Sequence, residues 1–298
     1  MADVISEKDR RLQLWHSVAT ETLEDIEPQR LHELRIYGCA QGIWVDKTRT
    51  ASPEIGLDGA TVAILHTGRH YADDLSDDGV IYHYPQTTRA KGSRDAAEVQ
   101  ATKNAMTHGL PIFVILPGKI SKSRRSLKLG WVCDFDDDNR QFLILFGEET
   151  PPRYSKAEAE NSPFRLTDAV PHQKITTIKA RPGQQRFRFH VLEKYGCKCA
   201  VCDIRHPQLI VAAHICGKAE KGTDDWRNGI PLCATHHEAF DNHFFCIEPT
   251  TGNIHCMPGL NPSNVGLAAA SLTTLKNTPH VEALKWRWQT TQKEWEDS

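Results

Sequence analysis

The spacing of apolar positions changes along the chain, and each spacing predicts a different kind of element. From about Ser6 to Tyr37, apolar residues recur every three or four positions, which predicts one or two amphipathic helices. From there to Gly147, short apolar runs alternate with Gly, Pro and Asp, a pattern typical of strands joined by turns. The predicted strands are Ile43–Val45, Ala60–Leu65, Val80–Tyr84, Ile112–Leu116, Leu129–Phe135 and Phe142–Phe146. A stretch without helix breakers, Arg94–His108, predicts one helix among them.

A change of composition divides the chain into two parts. Residues 148–173 are rich in Pro, Ser, Glu and Ala, which indicates a linker, and a predicted helix over Arg186–Tyr195 then leads into a region rich in Cys and His. The length of 298 residues also favours two domains, at about 100–200 residues each. We therefore predict an α+β fold with a helical segment at 1–37, a curved β-sheet or barrel with helices at 38–147, the linker, and a second domain at 174–298.

Composition narrows the class of protein. Apolar residues make up 39% of the chain and charged residues 25%, as in ordinary globular proteins. No run approaches the roughly 20 apolar residues of a membrane span, and the first residues lack the apolar core of a signal peptide. We expect a cytoplasmic protein with no membrane partner. Disulfides are rare in that compartment, so the nine cysteines need another explanation.

Four residues have the spacing of a metal site. Cys199 and Cys202 are separated by two residues, and after thirty more the pair Cys233 and His236 repeats that gap. Two such pairs can reach one tetrahedral ion, and three thiolates with one imidazole form an ordinary structural zinc set. The other cysteines are interpreted as core thiols or as neighbours that do not bind metal: Cys39, Cys133, Cys197, Cys216, Cys246 and Cys256.

The residues between and after these pairs carry further chemistry. The sequences AAHI and NGIPLCATHHEAFD, with the helix before them, resemble the HNH endonuclease family over about Arg181 to Glu248. The resemblance implies a ββα-metal finger that hydrolyses phosphodiester bonds. It assigns His214 as the general base and Asn228 as the residue that fixes the loop opposite the base. It assigns His237 as a ligand of a catalytic divalent cation such as Mg²⁺ or Mn²⁺.

One position departs from the usual HNH pattern. Many members have Asp before the first His as a metal ligand, whereas this chain has Ala213. A related branch also reads AAHI, so activity is still expected. The second ligand stays open between Asn228 and Asp241, and Asp241 could instead only orient His237.

The formal net charge of −2 hides local clusters of positive charge. Between Lys174 and Lys198, seven Lys or Arg accompany a single acidic residue, and a stretch from Lys119 to Lys128, interpreted as a loop, is basic without acids. Such clusters favour contacts with DNA phosphates, although they are also common as solvated faces. The candidate phosphate-binding residues are Arg124, Arg125, Arg181, Arg186 and Arg188.

The N-terminal part contains a second recognisable pattern. The segment GATVAILHTGRHYADDLSDDGVIYHYPQT is similar to the SET-and-RING-associated (SRA) domain, a PUA-like fold that reads modified cytosine. The resemblance implies a pocket in which Tyr71 and Tyr84 stack on a flipped base while Asp74 accepts from the cytosine amino group. The alternative is that Tyr82 and Tyr84 are sheet residues and that the acidic run is a solvated turn. The residues do not distinguish 5-methyl from larger substituents.

Together the two resemblances imply a modification-dependent, type IV-like restriction endonuclease of a prokaryotic-type cytoplasm, acting on double-stranded DNA with 5-methyl- or 5-hydroxymethylcytosine. HNH sites cut one strand at a time, so we expect a homodimer, formed through the N-terminal helices or a C-terminal helix over Val281–Trp295. Two alternatives stay open. One is an HNH nuclease that reads another DNA modification or RNA, and the other is a catalytically silent, zinc-stabilised DNA-binding protein.

Overall fold

The chain divides into two compact units, Met1–Ser155 and Lys156–Ser298. A computed structural model describes residues 3–20, 23–39, 42–67, 74–86, 94–121, 123–152, 161–168, 183–272 and 275–297. Two predicted site residues, Tyr71 and Arg181, lie outside these ranges. None of the helices that the structure describes combines the length and apolar composition needed to cross a membrane. The boundaries given above for the segments 1–37, 38–147, 148–173 and 174–298 stay predictions.

The N-terminal unit contains every strand predicted for it. Its helices are α1 (Val4–Ala19), α2 (Pro28–Glu33), α3 (Lys47–Thr50) and α4 (Arg94–Thr107). Its strands are β1 (Gly42–Val45), β2 (Thr61–Leu65), β3 (Gly79–His83), β4 (Ile112–Pro117), β5 (Arg125–Asp136) and β6 (Gln141–Phe146). The interpretation of residues 119–128 as a loop is wrong from Arg125 onward, because Arg125 pairs with Pro117 and starts β5. Lys128 is likewise a strand residue opposite Val114.

The strands form one sheet with apolar layers on both faces. Their order is β1-β2-β4-β5-β6-β3; β2 and β4 run parallel and the other pairs are antiparallel. Side chains alternate along β4, so Val114 belongs to a core cluster with Ala105 of α4, while Phe113 packs with Trp15 of α1. Sheet and helices therefore confirm the predicted α+β class.

Helix α1 is attached to the sheet by a buried cation. The Arg11 side chain is fully buried, its Nε donates to Glu7 at 2.7 Å, and its NH1 donates to the carbonyls of Thr61 at 2.7 Å and Pro111 at 2.8 Å. Thr61 begins β2 and Pro111 directly precedes β4, so one guanidinium joins α1 to both parallel strands. The N-terminal helix is therefore an integral part of this unit.

Removing this cation is expected to destabilise the N-terminal unit. In Arg11→Met, the Glu7 carboxylate and two carbonyls lose their buried donor, which costs about 3–5 kcal/mol of unfolding free energy. Urea denaturation followed by tryptophan fluorescence measures the loss. Arg10→Met is the control, because Arg10 contacts the same carboxylate from a partly exposed position. Equal losses in the two variants would contradict the assigned role of Arg11.

The C-terminal unit is built around a ββα arrangement. Its elements are α5 (Gln184–Tyr195), β7 (Ile210–His214), β8 (Gly229–Cys233), α6 (Ala234–Asp241), β9 (Phe245–Ile247), β10 (Ile254–Cys256) and α7 (Val281–Glu296). Strands β7 and β8 are antiparallel with His214 opposite Gly229, and α6 begins directly after β8. The predicted helices before and after the Cys/His-rich region correspond to α5 and α7.

Residues 161–168, within the predicted linker, contact the loop between β7 and β8. Thr167 forms a bridge with Gly222, the amide of Asp168 donates to Lys221 O at 3.0 Å, and the amide of Thr223 donates to Leu166 O at 3.0 Å. This part of the chain therefore supports the loop that follows His214.

Candidate active site and metal centre

The four residues with metal-site spacing converge in space. One ligand atom from each of Cys199, Cys202, Cys233 and His236 lies within 4.8 Å of the other three. The Nδ1 atom of His236 is 3.0 Å from Cys233 Sγ and 3.5 Å from Cys199 Sγ. Cys233 ends β8 and His236 lies in the first turn of α6, so a bound ion would join strand to helix.

The hydrogen bonds of His236 fit metal binding. Its Nε2 lies 2.9 Å from the carbonyl oxygen of Val265, which can only accept, so Nε2 carries a proton and Nδ1, the nitrogen that faces the sulfurs, is the one that would bind an ion. Burial raises the pKa values of Cys202 and Cys233. Burial also acts to raise the pKa of Cys199, but the hydrogen bonds that its sulfur accepts from His236, from the backbone at Val201 and Cys233 and from Cys202 together outweigh burial, so that pKa is lowered. The donor set and its geometry fit a tetrahedral ion.

His214, the predicted base, lies against an aromatic ring. It is the last residue of β7, and its imidazole stacks on Phe187 of α5 with ring centres 3.8 Å apart and planes 10° apart. Gly229, opposite His214, makes this approach possible. A Cβ on Gly229 would lie 2.4 Å from Val191 Cγ2 and 2.8 Å from Phe187 Cζ, far inside contact distance.

Gly229→Ala is therefore expected to displace α5 and to disturb the stack on His214. Overpacking of this kind typically costs about 1–3 kcal/mol of unfolding free energy. Thermal unfolding of the full chain measures the loss. Gly217→Ala is the matched control, since a Cβ there meets only the end of the flexible Glu220 side chain. A Gly229→Ala variant as stable as wild type would contradict the close packing of α5.

A residue that sequence reasoning missed completes the surroundings of His214. Asp224 Oδ1 lies 2.9 Å from His214 Nε2, and Asp224 Oδ2 lies 2.8 Å from Lys218 Nζ. Burial acts to raise the pKa of Asp224, but the hydrogen bonds from His214 and Lys218 outweigh it, so the pKa lies below its ordinary value. The carboxylate is therefore ionised at neutral pH and accepts a hydrogen bond from Nε2 of His214. The only signal in the sequence was an acidic pair shortly before Asn228, a common feature of loops.

Asn228 is fully buried and holds the loop between β7 and β8. Its Oδ1 accepts from the amide of Cys216 at 2.9 Å, and its Nδ2 donates to Cys216 O at 3.0 Å and Thr223 O at 2.9 Å. The geometry supports the predicted loop-fixing role. The choice between Asn228 and Asp241 as the second cation ligand stays a prediction.

His237 and Asp241 lie one turn apart on α6 and are open to solvent. His237 Nε2 is 3.3 Å from Asp241 Oδ2, with side-chain exposures of 38% and 53%. Asp241 also lies 4.0 Å from the guanidinium of Arg287, so its charge is partly compensated. Ala213, where many family members have a ligand, is fully buried in the core. The structure thus leaves both predicted roles of Asp241 open.

The predicted base-pocket residues have partners within the N-terminal unit. The Asp74 side chain is buried and lies 2.9 Å from His83 Nε2. Tyr84 is also buried, donates its hydroxyl to Asp137 at 2.9 Å and packs its ring 4.5 Å from that of Phe142. Tyr71 lies outside the described residues. The pocket of these three residues stays a prediction.

The basic candidates differ in their surroundings. The prediction that Arg188 contacts phosphate is wrong, because its side chain is buried and NH1 donates to Ile210 O at 2.6 Å. Arg124 lies 3.0 Å from Glu27, and Arg125 donates to the carbonyl of Arg124 at 2.9 Å. Arg186, on α5, is half-buried.

Comparison with known proteins identifies the C-terminal domain. Residues 199–248 match the family model described as HNH endonuclease, so the predictions of an HNH domain and of an endonuclease are confirmed. Two solved structures are similar over most of the chain. A modification-dependent TagI restriction endonuclease is 17% identical with a TM-score of 0.33, covering 90% of this chain and 91% of that one. The type IV phosphorothioation-dependent restriction endonuclease ScoMcrA is 11% identical with a TM-score of 0.30, covering 89% and 67%. No curated protein matches the chain.

Proposed function

We propose that this protein is a modification-dependent, type IV-like restriction endonuclease. It would flip 5-methyl- or 5-hydroxymethylcytosine out of double-stranded DNA and hydrolyse phosphodiester bonds nearby. The observation that carries the nuclease activity is the position of His214. It ends β7 of a ββα arrangement inside the HNH-matched residues, with its ring held by Phe187 and Asp224.

His214 acts as the general base in this proposal. Its Nε2 donates to Asp224, so in the neutral ring Nδ1 has the lone pair that can take a proton from the attacking water. Imidazole suits this role because its unperturbed pKa, about 6.5, lies close to neutral pH. Asn228 acts indirectly, through the backbone of the loop that contains Asp224.

Two metal ions with different roles fit the donor sets. Cys199, Cys202, Cys233 and His236 would hold a structural zinc, because four protein ligands leave no open position for a substrate. His237, with Asp241 as second ligand or orienting partner, would hold a catalytic cation such as Mg²⁺ or Mn²⁺. When bound, such a cation neutralises phosphate charge and stabilises the leaving oxygen.

The N-terminal unit acts as the reader in this proposal. A flipped cytosine needs flat apolar walls and an acceptor for its amino group, and Tyr71, Tyr84 and Asp74 provide these groups. In the described structure, Asp74 and Tyr84 are bonded to His83 and Asp137. These contacts are compatible with reading a base, because stacking uses the face of the tyrosine ring and a carboxylate accepts more than one hydrogen bond.

Binding to DNA would also use the remaining basic residues, Arg186, Arg124, Arg125 and Arg181, as phosphate contacts. A double-strand break requires two HNH sites, so we propose that the protein cuts as a homodimer. Phosphate contacts of this kind make the affinity for DNA fall as salt rises.

Metal-dependent cleavage tests the nuclease proposal. Full-length protein, treated with a chelator and reloaded with zinc, is incubated with modified plasmid DNA and with RNA, with and without Mg²⁺ or Mn²⁺. DNA cleavage that requires the added cation is the expected result. DNA binding without cleavage under any of these cations would favour the catalytically silent protein. Cleavage of RNA alone would contradict the assigned substrate.

A further inference from the structure

Four side chains around His214 form a continuous chain of contacts. The Phe187 ring covers one face of the imidazole at 3.8 Å, Asp224 meets Nε2 at 2.9 Å, and Lys218 meets the other oxygen of Asp224 at 2.8 Å. Lys218 lies in turn 3.4 Å from Asp168. The first two contacts restrain different motions of the His214 ring. The stack on Phe187 fixes the plane of the ring, and the bond to Asp224 fixes its orientation within that plane.

The carboxylate itself is held in place by the loop. Asn228 bonds the backbone at Cys216 and Thr223, on either side of the segment 217–222. Gly222 packs so closely that a Cβ there would lie 1.8 Å from Cys216 O. Asp224 therefore projects from a tightly closed loop, and its position relative to His214 is defined by packing as well as by charge.

We propose that Asp224 is a positioning residue for the general base, and that Lys218 keeps its carboxylate aimed at His214. This inference rests on the proposed role of His214. The Asp224–Nε2 bond selects the tautomer in which Nδ1 faces the water, and it holds the ring while Nδ1 gains a proton. Lys218 contributes by binding Oδ2 of Asp224, which prevents the carboxylate from rotating away from His214.

A role as cation ligand does not fit Asp224. One oxygen is bonded to the protonated Nε2 and the other to an ammonium group at 2.8 Å, so a divalent cation would meet two donors and a like charge. The carboxylate is therefore committed to His214 and Lys218, and the cation belongs with His237.

The test measures kcat and KM on a duplex with 5-methylcytosine for Asp224→Ala, Asp224→Asn and Lys218→Met in the full-length protein. Loss of a partner that orients a functional side chain typically costs about 10–100-fold in activity. We expect Asp224→Ala to lower kcat by that factor with little change in KM. Asp224→Asn keeps an acceptor for Nε2 and should recover part of the loss, and Lys218→Met should lie between wild type and Asp224→Ala.

Asp225→Asn is the matched control. Asp225 is adjacent in sequence, but its carboxylate bonds Arg227 at 2.6 Å. We expect wild-type kcat for this variant. If Asp224→Ala has wild-type kcat while His214→Ala is inactive, the positioning role is wrong and the proposed nuclease mechanism stands. If His214→Ala is fully active, the proposed base is wrong. Should Asp224→Ala fail to fold, the isosteric Asp224→Asn decides: a wild-type kcat in both Asp224→Asn and Lys218→Met would overturn the proposal.

Discussion

Replacing His214 by alanine is expected to lower the cleavage rate by about 10²–10⁴-fold, the usual contribution of a general base. The imidazole is the group that would take the proton of the attacking water, and Phe187 and Asp224 hold it for that purpose. Single-turnover cleavage of a labelled duplex at saturating cation measures the rate. Since the side chain is partly exposed at the end of a strand, its loss should leave the fold intact.

DNA binding distinguishes loss of chemistry from loss of structure in this variant. We expect His214→Ala to bind the duplex as wild type does and to retain its zinc, because His214 is not one of the four clustered ligands. Cleavage at the wild-type rate would mean that another group activates the water. Loss of binding together with cleavage would indicate a structural role for His214.

Replacing Cys233 by serine is expected to unfold the C-terminal unit, at least in part. Cys233 is the last residue of β8 and His236 lies on α6, so an ion bound to both would hold the strand against the helix. The same helix contains His237. Structural zinc ions supply folding free energy directly, and domains of this size often lose their structure without the ion. Zinc content, far-UV circular dichroism and thermal unfolding measure the effect.

Cys256→Ser is the control for the zinc prediction. Cys256 is a partly buried strand residue outside the four-residue cluster, so we expect one zinc per chain and near-wild-type unfolding. A Cys233→Ser variant that keeps both its zinc and its unfolding temperature would contradict the assigned ligand set.

The fold and the metal site were predictable for different physical reasons. Strands such as Thr61–Leu65 and Ile112–Pro117 are buried on both faces, so they read as continuous apolar runs. The start of β5 was not predictable in this way, because Arg125 and Lys128 interrupt the apolar pattern while the backbone still pairs with β4. The metal ligands follow a spacing set by local geometry, since two-residue gaps bring both ligands of each pair to one ion.

Contacts between distant residues account for what sequence reasoning missed. Asp224 meets His214 only because β7 and β8 pair and the loop closes on Asn228, none of which leaves a local pattern. Arg188 lies among basic residues in the sequence, but in α5 its side chain points into the core, where it donates a hydrogen bond to the carbonyl of Ile210. A charge run identifies a basic segment without identifying which of its members face solvent.

The most direct test of the proposed function compares cleavage of three duplexes of the same sequence, with cytosine, 5-methylcytosine or 5-hydroxymethylcytosine at one position. Wild-type protein is assayed under single-turnover conditions with Mg²⁺ or Mn²⁺, and the His214→Ala variant is the negative control. We predict that one or both modified duplexes are cut while the unmodified duplex is left intact. Equal cleavage of all three would contradict modification dependence, even if the HNH site is active.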